Sequence, residues 1–171
     1  LFYGMGKNKL QAELGVSKEK AEELFKQYHN KVPFVKRLMD NVMNRGQERG
    51  QIRTLLGRLC RFHLWEPTQF GIHKPLPHDA ALQEHGPGIK RAYTYKALNR
   101  LIQGSAADMT KKAMIELYKE GITPHIQVHD ELDISVSDNA NKIKQIMEDA
   151  VSLEVPNKVD YESGPNWGTI K

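Results

Sequence analysis

The stretch HIQVHDELDISV, residues 125–136, decides how this 171-residue chain is read. Ile126, Val128, Leu132, Ile134 and Val136 share one parity, while Gln127, His129, Glu131, Asp133 and Ser135 share the other. Alternation with period two marks half-buried β-structure, so the stretch predicts a pair of strands. The break falls at His129-Asp130-Glu131, which puts an acidic cluster on or beside the tight turn between them. Before it, residues from about 89 to 120 read as one long helix, closed by Gly121 where a left-handed cap is wanted. After it, Asp138 is placed to cap a last helix reaching about Val151, and KVDYES from Lys158 reads as a closing strand before GPNW.

The preceding chain is helical first and irregular later. Ser17 stands before a run in which Ala21, Leu24, Phe25, Tyr28 and Val32 recur at helical spacing, predicting a helix over residues 17–31. Pro33 suits the first turn of a second helix striped by Val35, Leu38, Met39, Val42 and Met43, with Gly46 and Gly50 ending it. QIRTLLGRLCRF, residues 51–62, mixes aliphatic residues and arginine around Gly57 and predicts a short hairpin. Residues 63–88 are rich in Pro, His and Gly and read as a long irregular connection. Helices beside small antiparallel strands make the fold class α+β.

Composition narrows the function classes. Hydrophobic residues at 39% and charged residues at 27% describe a globular chain with a real core. The apolar runs are too short for a membrane helix, no signal-peptide pattern opens the chain, and Cys60 has no second cysteine to pair with. The expected setting is therefore cytoplasmic, with no membrane partner. Charge is lopsided: residues 1–112 hold 20 basic against 10 acidic side chains, a net +10, and residues 113–171 hold 5 against 11, a net −6. A basic front suits a polyanion, and an acidic rear suits one only if cations bridge them.

Five blocks in order carry a resemblance: LFYG at residues 1–4, TLLGR at 54–58, NRLIQGSAADM at 99–109, QVHDEL at 127–132 and GPNW at 164–167. Together they resemble family A DNA polymerases, the bacterial DNA polymerase I group and its phage relatives, across that family's C-terminal portion. The resemblance implies a partial fingers subdomain at residues 1–62, the irregular connecting loop at 63–88 and a C-terminal palm subdomain at 89–171. In it, a helical fingers remnant accompanies a palm whose long helix packs on a small antiparallel sheet.

It also implies a chemistry, template-directed transfer of a nucleotide from a dNTP to a primer 3′ hydroxyl in replication or repair. Such transfer uses two Mg²⁺ ions about 3.5 to 4 Å apart, held by hard oxygen ligands. Asp130 matches the family's second metal-binding aspartate, Glu131 lies beside it, and His129 resembles the residue at the primer end. Asn99 and Gln103, four apart on one helix face, match the face that meets the DNA minor groove. Purine N3 and pyrimidine O2 acceptors are present there in every correct pair, so amide donors test geometry without reading sequence. Tyr3 and Gly4 match the end of the fingers helix near the insertion site, and Arg58 matches the arginine of the TLxGR turn. Arg53, Arg61, Lys90, Arg91, Arg100, Lys111 and Lys112 are expected to meet phosphates. The copy is imperfect: Tyr95 stands where bacterial relatives carry arginine, Leu56 replaces an acidic residue and Leu59 a basic one.

The 171 residues contain neither the triphosphate-gripping arginine and lysine of the fingers helix nor a segment like DYSQIE with the first catalytic aspartate. Hence the expectation that the chain is inactive alone and needs an N-terminal polymerase portion, in the same longer chain or in a separate subunit, alongside primer–template DNA and dNTP. Two other readings are a catalytically inactive DNA-binding module and a zinc-stabilised interaction domain using Cys60, His63, His73, His78 and His85. A phage or bacterial source fits the resemblance.

Overall fold

A computed structural model describes residues 5–69, 71–135 and 139–169. In chain order the elements are helices α1 (Lys7–Leu14), α2 (Lys18–Lys31) and α3 (Pro33–Arg49), and strands β1 (Gln51–Arg53), β2 (Leu59–Arg61), β3 (Leu64–Pro67) and β4 (Leu76–Pro77). Helix α4 (His78–His85), strand β5 (Ile89–Arg91), a 3-10 turn (Thr94–Lys96) and helix α5 (Ala97–Lys119) follow. Strands β6 (Ile126–Val128) and β7 (Glu131–Asp133), helix α6 (Ala140–Asp149) and a 3-10 turn (Trp167–Thr169) complete the described chain. The sheets are β1-β2, β4-β3-β5 and β6-β7, all antiparallel. This is the α+β class. Two compact units divide the chain between Gln103 and Gly104.

In the first unit, Ser17 caps α2 by accepting the Lys20 N–H at 3.2 Å, and Pro33 occupies the first turn of α3. Gly50 alone ends α3, at φ 65° in the left-handed region. Gly46 lies inside that helix and is buried, against the expectation that both glycines end it. An added Cβ there would sit 3.4 Å from the Phe62 ring, just after β2, and 3.5 Å from Thr94 Cγ2, ordinary contact distances. The core joins Val42 of α3, Ile52 of β1, Phe62 and Ala97, with Leu38, Met43, Cys60, Tyr93 and Leu101 packed around them. The start of α5, at Ala97 and Leu101, thus packs beside Ile52 of β1, not on the sheet whose hairpin holds Asp130, which was the expected partner. Helix α1 has no side-chain cap, buries only Leu10 and stops at Gly15, so its sequence carries little periodic signal.

Two stretches differ from expectation. Residues 63–88 contain β3, β4 and α4 rather than irregular chain. The predicted helix from residue 89 begins only at Ala97, because residues 89–91 pair with β3 in the register Trp65↔Arg91, Glu66↔Lys90, Pro67↔Ile89. Tyr93, at φ 63°, then interrupts the backbone before any helix can form. Gln47 of α3 holds this junction: its Nε2 donates to the Arg91 carbonyl at 2.9 Å and to Thr94 Oγ1 at 2.6 Å, and its Oε1 accepts the Arg91 N–H at 3.1 Å.

In the second unit, α5 ends at Gly121, whose φ of 76° lets the Ile122 N–H reach the Leu117 carbonyl at 2.9 Å. Helix α6 buries Ile143, and Lys142 pairs with Glu120 at 2.8 Å. The expected cap Asp138 and the strand residue Val136 lie outside the described residues. KVDYES forms no strand. A strand needs a ladder partner; here the Val159 N–H is satisfied instead by the Glu148 carboxylate at 3.0 Å.

Candidate active site

The acidic cluster sits where the period-two pattern breaks. β6 and β7 pair as Ile126↔Asp133, Gln127↔Leu132 and Val128↔Glu131, leaving His129 and Asp130 as a two-residue turn. His129 takes φ 50°, a left-handed conformation in which histidine is tolerated better than most residues. Gln127 Nε2 donates to the His129 carbonyl at 2.6 Å, and the His125 N–H donates to the Asp133 carbonyl at 2.8 Å. The Gln127 bond braces the turn itself, and the His125 bond closes the open end of the hairpin. Asp130 and Glu131 are both exposed, with carboxylates open to solvent rather than sunk in apolar surroundings.

The register corrects the single-face reading of the alternation. Paired residues have opposite parity, so Ile126 and Val128 share a face with Glu131 and Asp133, while Leu132 shares one with Gln127. A two-residue turn reverses the parity relation, as a one-residue shift of register does. Ile126 and Val128 accordingly remain 45% and 37% exposed.

Asn99 and Gln103 are exposed one turn apart on α5, with Tyr95 exposed one turn earlier. Arg58 is exposed at the β1-β2 connection, where its N–H donates to Thr54 Oγ1 at 3.0 Å and Gly57 takes φ 87°. Tyr3 and Gly4 lie outside the described residues. Of the residues expected to meet phosphates, Arg53, Arg61, Lys90 and Lys111 are exposed. Lys90 is 3.8 Å from Glu66, and Lys112 pairs with Glu116.

Arg91 and Arg100 turn inward. Arg91 Nη1 donates to the Phe62 carbonyl at 2.9 Å and its Nε to the Gln47 carbonyl at 3.0 Å, with the guanidinium 4.5 Å from the Trp65 ring centroid. Arg100 lies 5.0 Å from the Phe62 ring centroid and donates to the Arg61 carbonyl at 3.4 Å. Sequence alone does not separate such internal fasteners from surface cations, because both read as basic residues in a basic segment.

Among the described residues no three His, Cys, Asp or Glu side chains converge to hold a metal ion. The proposed zinc ligands go their own ways: Cys60 accepts from Arg100 at 3.8 Å, His78 packs on Trp65 at 4.8 Å between ring centroids, and the His73 and His85 rings stand 6.0 Å apart. Asp130 and Glu131 offer the hard oxygen donors that Mg²⁺ prefers, but as two ligands rather than a cage.

The family model for DNA polymerase family A matches residues 1–169, so the chain belongs to DNA polymerase family A. Its relatives include a DNA-directed DNA polymerase of Pseudomonas phage M6, 39% identical over 149 residues that make up 86% of this chain and 19% of that protein. DNA polymerase I of Geobacillus stearothermophilus is 32% identical across 100% of this chain and 19% of its own length. The polymerase domain of Pol1 from M. smegmatis, solved with a DNA primer-template and dNTP, superposes with a TM-score of 0.66 at 28% identity, covering 91% of this chain and 26% of that one. The chain thus spans about a fifth of the curated relatives it matches.

Proposed function

We propose that these residues form the C-terminal part of a template-directed DNA polymerase site, in which Asp130 and Glu131 supply one half of a two-Mg²⁺ centre. The observation that carries the reading is the braced β6-β7 turn, which holds two adjacent carboxylates in solvent. When bound, the ions supply Lewis-acid charge that activates the primer hydroxyl and neutralises the departing phosphates. Asp130 and Glu131 provide oxygen ligands from a short hairpin whose turn Gln127 braces. His129 stands beside them to meet the primer end. Asn99 and Gln103 donate to minor-groove acceptors common to all base pairs, and Arg58 lends positive charge. The first carboxylate and the triphosphate-gripping cations come from an N-terminal polymerase portion outside these residues, and the setting is the cytoplasm.

Mn²⁺ titration observed by amide NMR tests the metal assignment without requiring turnover. Selective broadening at residues 129–131, abolished in Asp130→Asn, is the expected result. Broadening that ignores this turn, or survives the substitution, removes the assignment.

A further inference from the structure

The β1-β2 connection combines apolar surface and positive charge in a way the polymerase reading leaves unused. Elsewhere on the hairpin the large apolar residues turn inward: Ile52 is 7% exposed, and Phe62, just after β2, is 2% exposed. Leu55 and Leu56 do the reverse, at 51% and 47%, side by side. They hold the two central positions of a turn that the Gly57 N–H closes on the Thr54 carbonyl at 2.9 Å. Such positions ordinarily take proline, glycine, asparagine or aspartate, which suit the turn backbone and water. Adjacent leucines there present apolar surface outward.

The turn is stiffly held. The Thr54 N–H donates to the Arg58 carbonyl at 3.0 Å, the Arg58 N–H to Thr54 Oγ1 at 3.0 Å, and Arg53 Nη1 to the Gly57 carbonyl at 2.9 Å. Thr54 is only 6% exposed, so this fastening is sunk beneath the leucines. Charge surrounds it: residues 49–63 contain Arg49, Arg53, Arg58 and Arg61, all exposed, and no Asp or Glu. An apolar tip on an acid-free arginine base matches a polyanion whose apolar groups lie between its charges. Nucleic acid has phosphates outside and base faces between them, and apolar side chains enter where stacking can be opened. A fork, where a single-stranded template leaves a duplex, already has one open base face.

The turn also belongs to the body that carries Asn99 and Gln103. Arg100 of α5 donates to the Arg61 carbonyl at 3.4 Å and to Cys60 Sγ at 3.8 Å, and Ile52 and Ala97 share one core. Hairpin and carboxamides lie in the compact unit that ends at Gln103. We infer that the Leu55–Leu56 turn is a wedge that enters a template fork, parting the downstream strand from the template while the flanking arginines hold phosphates. The inference rests on the polymerase reading and adds strand separation to it.

The test titrates the whole chain into forked DNA whose junction base is 2-aminopurine, which brightens on leaving the stack, while anisotropy of the same DNA reports binding. Wild type is expected to raise the fluorescence about twofold or more at saturation, as the opening of one base step would. The double variant Leu55→Ser, Leu56→Ser and the single variant Leu56→Ser keep every arginine. Both are expected to bind within about twofold of wild type at the same salt slope, yet to give less than about half of the fluorescence rise. Both leucines are half exposed, so melting temperatures should hold; if the double variant unfolds, Leu56→Ser decides alone. A full rise in the folded variants, or no rise with wild type bound, overturns the wedge and leaves the polymerase reading standing. Leucine-dependent sedimentation with anionic vesicles, with the fork signal unchanged, overturns the wedge in favour of a lipid surface. No binding of wild type to primed or forked DNA overturns both readings.

Discussion

Arg91→Ala measures how far a basic residue in this chain is structural. Its guanidinium makes two charge-assisted bonds to carbonyls of Phe62 and Gln47, at 2.9 and 3.0 Å, and lies 4.5 Å from the Trp65 ring centroid. Bonds to charged groups contribute about 1.5 to 3 kcal/mol each, and a partly exposed cation over an aromatic ring about 0.5 to 1 kcal/mol. The terms share one side chain and do not add fully, so truncation should cost about 3 to 5 kcal/mol. With a urea m-value of about 2 kcal/mol/M, the unfolding midpoint should fall by roughly 1.5 to 2.5 M. Arg91→Lys should recover only part of this, because an ammonium cannot span both carbonyls as the planar fork does. Urea unfolding followed by circular dichroism is the assay. A midpoint unchanged within about 0.25 M, corresponding to roughly 0.5 kcal/mol, would refute the clamp and return Arg91 to the phosphate-contacting set expected from sequence.

Gly46 inside α3 and Gly50 at its C-terminal cap should respond oppositely. Gly46→Ala places its Cβ 3.4 Å from Phe62, ordinary contact, and gains helix propensity, so stability should rise by about 0.5 to 1 kcal/mol. Gly50→Ala meets the Arg91 guanidinium at 2.7 Å with φ 65°, so a loss of about 2 kcal/mol or more is expected; thermal melts of the pair read the contrast. Hydrogen bonds from Lys112 and then Lys119 hold the Glu116 carboxyl below the ordinary carboxylate range. A lowered folded-state value means the contribution is present above the unfolded-state value and is lost as pH falls through the folded one. The stability difference between wild type and Glu116→Gln should therefore be flat near neutrality and shrink below about pH 4.5, and a difference growing toward acid would contradict the pairing.

What the sequence revealed depended on whether the signal was local. Ser17 and Pro33 mark the starts of α2 and α3 because caps act within one turn, and the alternation at residues 125–136 locates the β6-β7 hairpin and its acidic turn. The side on which each residue of that hairpin falls depends on turn length, which alternation alone does not encode. The start of α5 is set nonlocally: residues 89–91 are strand because β3 offers them a ladder, and Gln47 holds the junction from a distant helix, neither of which the local pattern carries. Arg91 and Lys96 are both basic residues in one short segment. Only the carbonyls and tyrosine rings around them distinguish an internal clamp from a surface cation.

The most direct measurement is extension of a primed template by this chain united with the N-terminal portion of a family A polymerase, for wild type and Asp130→Ala, at matched duplex occupancy. The account predicts Mg²⁺-dependent extension that drops about a hundredfold or more in the variant while affinity for the duplex is retained. Extension by Asp130→Ala at the wild-type rate would contradict it and leave a DNA-binding module without a part in the chemistry.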